Sequence, residues 1–296
     1  MLCALLRCRI GREVLLLTGA CTLFGHLCSA RTPSIGRHFL WRVTDAPAPF
    51  YLLGSMHALR DFDYPFPAEI EKAIAGSRKV IFERDPNAKD APLLLRKIRA
   101  VTSYPRGATI GQKVSPATFA LLKRIARVPL SEYEHQKPWA IAFFMLKAQG
   151  METVRARLGI DRYVFHKIRD RAEIGGLETI DEFVRSLSEM NDSASESFLL
   201  QSIDYGERSP ELLNETIDAW KSGNTRRMYQ LYAPRKNGPA GYWRWIERRD
   251  SIWIPRIEDA IESGKPTIVV VGALHFCGPR GVIAELEKRG YKLKQL

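Results

Sequence analysis

The stretch Thr267–Gly281, TIVVVGALHFCGPRG, constrains this chain more than any other. Thr267 to Val271 are all β-branched, the run expected of a strand buried on both faces. It stops at Gly272, and His275 follows three residues later. Gly278, Pro279 and Gly281 then mark a loop, and VIAELEKRG reads as a helix. A histidine therefore sits just past the carboxyl end of a central strand, the edge at which open α/β sheets bind ligands. The phrase recurs once: Phe50–His57, FYLLGSMH, is an apolar strand, then Gly54, two residues, and His57. The glycine in each lets the backbone turn sharply and come close to a ligand.

The surroundings of the first phrase set its place in a sheet. HFLWRV (His38–Val43) and FYLL are apolar runs separated by Asp-Ala-Pro-Ala-Pro, which reads as a β-hairpin. After His57 a loop leads to Pro67, a helix with Ile70, Ala73 and Ile74 on one face, and a strand Lys79–Phe82 ended by Glu83. Strand, helix, strand between His57 and Glu83, 26 positions apart, is a βαβ unit with parallel strands. His57 and Glu83 are then expected at one sheet edge. His275 joins them if the Thr267–Val271 strand lies parallel and near.

Between these phrases the pattern is mainly helical. Helices are expected over Pro92–Val101, Pro116–Arg127 and Pro138–Gly150, each with proline at its first turn. Trp139, Ile141, Phe143, Phe144 and Leu146 are expected in the core. Another helix begins at Gly159-Ile160-Asp161, with His166 on its polar side, and His135 falls in a polar loop. RAEIGGLE (Arg171–Glu178) is a short strand ended by Glu178. Helices follow over Ile180–Ser188, about Ser195–Tyr205, Pro210–Ser222, Arg226–Tyr232 and Trp243–Ile261, and YKLKQL closes the chain as a strand. The fold expected is α/β: a central mixed sheet with parallel core strands, many helices, and a helical insertion over the active edge.

The first thirty residues read as a secretory signal. Arg7, Arg9 and Arg12 precede a mostly apolar tract, Val14–Cys28, and Cys28-Ser29-Ala30 is a small-residue cleavage site. The tract falls short of the roughly 20 apolar residues of a membrane span, and Thr18 stands where a lipoprotein signal at Cys21 prefers leucine. The expected organisation is a signal peptide over 1–30 and one domain over 31–296, periplasmic or secreted, with no membrane span after cleavage. Cleavage removes Cys3, Cys8, Cys21 and Cys28, so only Cys277 remains and no internal disulfide can form. It also removes three Arg and one Glu, lowering the net charge from +12 to +10. No basic run interleaved with aromatics points to nucleic acid.

Imidazole and carboxylate at strand ends are the material of a metal site. Two histidines and one carboxylate with an open position suit Zn, Mn, Fe or Co. Cys277 invites a thiol-nucleophile reading, but a lone cysteine beside a buried strand is more often a small apolar filler. Ser55 precedes His57 closely, yet GSMH is not the G-x-S-x-G elbow of serine hydrolases. Tyr242, Trp243 and Trp245 are more simply core than a sugar platform.

The ordered set YLLGSMH, KVIFERD, GIDRYVFHKIRDRAEIGGLET, ERRDSIWIPRIEDAI and VVVGALHFCGPRGVIAELEKRGY resembles the TraB/PrgY/GumN family over about residues 38–296. That family includes the animal Tiki proteases, and its GumN-like bacterial branch looks most similar. The resemblance implies a metal-dependent hydrolase, with peptidase activity shown for the animal branch. The family's two motif histidines fall on His57 and His275, its glutamate on Glu83, and its arginine on Arg249, four residues before Trp253. The companion asparagine is replaced by Asp250. Glu178 matches a position behind the ligands. On this reading His57, Glu83 and His275 hold a divalent metal (Mn, Co or Zn), Glu83 or Glu178 serves as base, Arg249 stabilises an oxyanion, and the substrate is a peptide or protein. The rival expectation is a non-catalytic envelope factor supporting exopolysaccharide production.

Overall fold

The computed structural model describes residues 36–86, 91–126, 128–143 and 158–296. The expected signal peptide, the end of the helix expected from Pro138, and Phe144 and Leu146 lie outside the described residues. Six strands form one mixed sheet: β1 (Leu40–Val43), β2 (Phe50–Ser55), β3 (Lys79–Phe82), β4 (Glu173–Gly176), β5 (Thr267–Gly272) and β6 (Leu293–Gln295), in the order β4-β3-β5-β2-β1-β6. β1 and β2 form the expected antiparallel hairpin, and β6 pairs antiparallel with β1. β5 runs parallel between β2 and β3, and β4 extends the parallel set beyond β3.

The register fixes the edge. Ser55 of β2 lies opposite Gly272 of β5, and Phe82 of β3 opposite Val270. The strands therefore end nearly level, and the residues that follow each of them emerge together. β5 is buried throughout, with Ile268 to Val271 fully excluded from solvent. Each such side chain contributes about 1.5–3 kcal/mol of burial, which is why the two central strands carry no polar alternation.

Eleven α-helices accompany the sheet among the described residues. α1 (Ala68–Gly76) is the crossover from β2 to β3 and packs on α5 (Ile160–Ile168). α2 (Ala91–Arg99), α3 (Pro116–Ile125) and α4 (Pro138–Ile141) come from the expected helical insertion. With α6 (Ile180–Ser188), α7 (Asp192–Glu207) and part of α10 they enclose a second apolar cluster around Trp139, Phe183, Phe198 and Trp245. α8 (Ser209–Lys221) and α9 (Thr225–Tyr232) follow α7, and α11 (Val282–Lys288) precedes β6. The long α10 (Gly241–Glu262) lies against β5 and the 3-10 turn Ala273–Phe276. Its buried face includes Trp245, Arg249, Asp250 and Trp253. That an arginine and an aspartate share this face with tryptophans points to a polar centre beneath the helix.

Candidate active site

Three strand ends deliver the first groups. Glu83 follows β3, His57 lies two residues past β2, and His275 sits in the 3-10 turn after β5. Glu83 Oε1 lies 4.0 Å from His57 Nε2 and 3.7 Å from His275 Nε2. The same oxygen accepts the backbone N–H of Gly272 at 2.9 Å. A Cβ on Gly272 would come within 3.2 Å of Glu83 Oε1 and 3.5 Å of both His57 Nε2 and His275 Cδ2. Glycine at the end of β5 is what leaves the space between the two imidazoles open.

Each imidazole is oriented from behind by an aspartate. His275 Nδ1 lies 2.5 Å from Asp250 Oδ1, with both side chains buried. His57 Nδ1 lies 2.9 Å from Asp161 Oδ2, and Ser55 Oγ donates to the same carboxylate. With Nδ1–H donating to a carboxylate, Nε2 carries the lone pair, and both Nε2 atoms face Glu83. For His275 a second contact agrees: Arg249 Nη1, which can only donate, lies 3.4 Å from Nε2. The two histidines differ in exposure, since the His57 side chain is 62% accessible and that of His275 only 5%.

Asp161 and Ser55 belong to this cluster, and the sequence reading did not bring them into the site. An aspartate in the first turn of a helix is favoured there by the helix dipole alone, so Asp161 carried no signal of its own. What aims it is Gly159, where a Cβ would lie 2.3 Å from the His57 carbonyl oxygen. α5 can start against the His57 backbone only because that residue is glycine.

Arg249 ties the rest together. Its Nη2 donates to Glu83 Oε2 at 2.8 Å and to Glu178 Oε1 at 2.5 Å, and its Nε donates to Glu178 Oε2 at 3.1 Å. The guanidinium lies 4.7 Å from the Trp245 ring centre and 4.6 Å from that of Trp253. Glu178 reaches this place because the β3–β4 ladder continues past both strands, the Glu178 N–H donating to the Glu83 carbonyl. Glu178 also accepts from Arg84 Nη1 and Trp253 Nε1, so both its oxygens are taken. Trp253 in turn lies against the His275 ring, centroids 4.4 Å apart.

The charges are set by these contacts. Burial pushes the Glu83 carboxyl up, but Arg249 first, then His275, His57 and Arg84, hold it well below the usual carboxylate range. Burial raises Asp250, partly offset by His275 and Arg249, and its Oδ2 has no hydrogen-bond partner among the described residues. Cys277 is buried, and burial pushes its thiol upward, away from the thiolate a nucleophile needs. His135 and His166 are exposed and stand apart from the cluster.

No group of three or more His, Cys, Asp or Glu side chains among the described residues is closed tightly enough to hold an ion as it stands. The donor set nevertheless fits one in kind. Metal–ligand bonds of about 2.0–2.2 Å put two ligands of one ion no more than roughly twice that apart. Both separations from Glu83 Oε1 meet that limit. Carboxylate-backed imidazoles are also the usual support of metal-ligating histidines.

The family model described as "TraB/PrgY/gumN family" matches residues 39–295. No curated protein and no solved structure matches the chain.

Proposed function

Because the chain belongs to the TraB/PrgY/gumN family, we propose that it is a metal-dependent hydrolase of peptidase type, acting in the periplasm or outside the cell. The observation that carries this reading is the convergence of two aspartate-backed imidazoles on one oxygen of Glu83, beside a buried arginine. His57, Glu83 and His275 would hold the ion. A bound divalent ion would supply Lewis acidity, lowering the pKa of a water and polarising the scissile carbonyl. No helix among the described residues is long and apolar enough to cross a membrane.

The chain's own groups divide the remaining work. Asp161 and Asp250 keep both Nε2 lone pairs turned inward. Of the two carboxylates expected to act as base, only Glu83 faces the imidazoles, and the charges around it hold it ionised, which suits an anionic ligand better than a proton acceptor. Glu178 is committed to Arg249, Arg84 and Trp253 and serves to hold Arg249 in place. Arg249 has one nitrogen, Nη1, not spent on a carboxylate, and this is the donor available to a developing oxyanion. The guanidinium stays charged at any working pH.

Elemental analysis of the purified protein, paired with a peptide-library cleavage screen with and without chelator, tests the reading. A stoichiometric divalent ion and chelator-sensitive cleavage are expected. A metal-free protein that cleaves nothing would favour the non-catalytic envelope role instead.

A further inference from the structure

Beside the site, a cavity of about 560 Å³ opens between α2, the end of β4 and the start of α6. Arg84 and Glu178 form its wall toward the site, and Leu93 and Ile180 supply apolar lining. Glu178 Oε1 accepts from Arg84 Nη1 at 3.0 Å and from Arg249 Nη2 at 2.5 Å, so the two guanidiniums meet across one oxygen. Arg84 Nη1 lies 4.0 Å from Glu83 Oε2. Two residues of the cavity wall, Arg84 and Glu178, thus belong to the charge network around the proposed centre.

The other charged groups along the wall are engaged. Lys97 pairs with Asp181, and Arg256 pairs with Glu182 through two nitrogens. Asp85 also has a partner. Arg84 differs. Its guanidinium is stacked 4.0 Å over the Phe183 ring, and Nη1 alone donates to a side chain, which leaves Nε and Nη2 without a hydrogen bond among the described residues. A guanidinium held flat by an aromatic ring, with an unused edge in a cavity, is preorganised to grip a planar carboxylate with two parallel hydrogen bonds.

We propose that this cavity is the subsite for a free carboxylate on the substrate, read by Arg84. Resting on the hydrolase reading, this makes the substrate a peptide with a free C-terminus. A monoanion is favoured over a phosphate dianion because Asp85, Glu178, Asp181 and Glu182 also line the cavity and repel the larger charge more.

Calorimetric titration of the intact protein with N-acetyl-leucine, N-acetyl-leucinamide and inorganic phosphate tests the subsite without requiring turnover. The acid is expected to bind at least about tenfold more tightly than the amide, the scale of a charge-assisted pair. Arg84→Met should abolish that preference, and Arg84→Lys should restore part of it, keeping the charge but losing the fork. In turnover, Arg84→Met should raise KM for a free-acid peptide far more than for its C-terminal amide. Equal binding of acid and amide by the wild-type protein, or tighter binding of phosphate than of the acid, overturns the subsite. So does equal cleavage of free and amidated peptides. An acid preference that depends on Arg84, in a protein that cleaves no peptide, upholds the subsite and removes the hydrolase reading instead.

Discussion

At Gly272 a single methyl group separates an open centre from a filled one. Gly272→Ala would place Cβ 3.2 Å from Glu83 Oε1 and 3.5 Å from His57 Nε2. We expect a folded protein, since overpacking costs about 1–3 kcal/mol, with kcat/KM lowered about tenfold or more, for which about 1.4 kcal/mol of lost transition-state stabilisation suffices. Steady-state kinetics and a thermal melt on one preparation check both parts. An unchanged kcat/KM would mean that the space beside Gly272 is not where chemistry happens. Arg249→Ala should act on two quantities at once. Loss of the oxyanion donor should lower kcat by about 10²–10³. Glu83 and Glu178 would also lose their buried cation, at a stability cost of roughly 3–5 kcal/mol. A variant as stable as wild type would show that the arginine's two carboxylate contacts do not hold the site together.

At the scale of elements, the parts that repeat a period were legible and the parts made by tertiary contact were not. β2 and β5 announced themselves as unbroken apolar runs, and a crossover of helical period made β2 and β3 parallel. The meeting of His57 with Glu83 followed from topology before any coordinates. α7 begins earlier than its apolar spacing suggested because Asn191 caps it, accepting the Ala194 N–H. β4 is shorter than RAEIGGLE because the Arg171 and Ala172 N–H groups close the end of α5 and the Arg171 side chain donates to the Ile74 and Ala75 carbonyls. Asp161 stayed hidden because its partner lies 104 residues away and no local pattern encodes that pairing. The 3-10 turn after β5 carries the Cys277 prediction. Its Sγ donates to the Ala273 carbonyl inside the core, so Cys277→Ala should keep full activity and cost roughly 0.5–3 kcal/mol. Loss of turnover in a folded, metal-loaded variant would instead mark the thiol as a nucleophile.

Across the whole molecule, Gly36–Leu296 forms one compact unit, and its ion pairs give it a defined acid limit. The Glu182 carboxyl is held at about 2, by Arg256 first and against the pull of burial. Burial raises Asp63, but Arg60 and Lys221 outweigh it and hold its carboxyl low. Folded-state values below the unfolded ones mean that the unfolded chain takes up protons first as pH falls. This stabilisation is complete above the ordinary carboxylate range and is lost as pH drops toward the folded values. Thermal melts should therefore show Tm falling from about pH 5 to about pH 3. Glu182→Gln should start lower at neutral pH and fall less steeply, and an identical slope in both proteins would exclude the Glu182–Arg256 pair as a cause. The fold's larger consequence is the convergence itself, three strand ends brought level so that two imidazoles share one carboxylate oxygen. Anomalous diffraction from crystals of the manganese-loaded protein tests that claim most directly. The account predicts one strong peak within about 2.0–2.2 Å of His57 Nε2, His275 Nε2 and a Glu83 oxygen. A protein that hydrolyses peptides with no peak at that point, or with its only peak bounded by other residues, would contradict it.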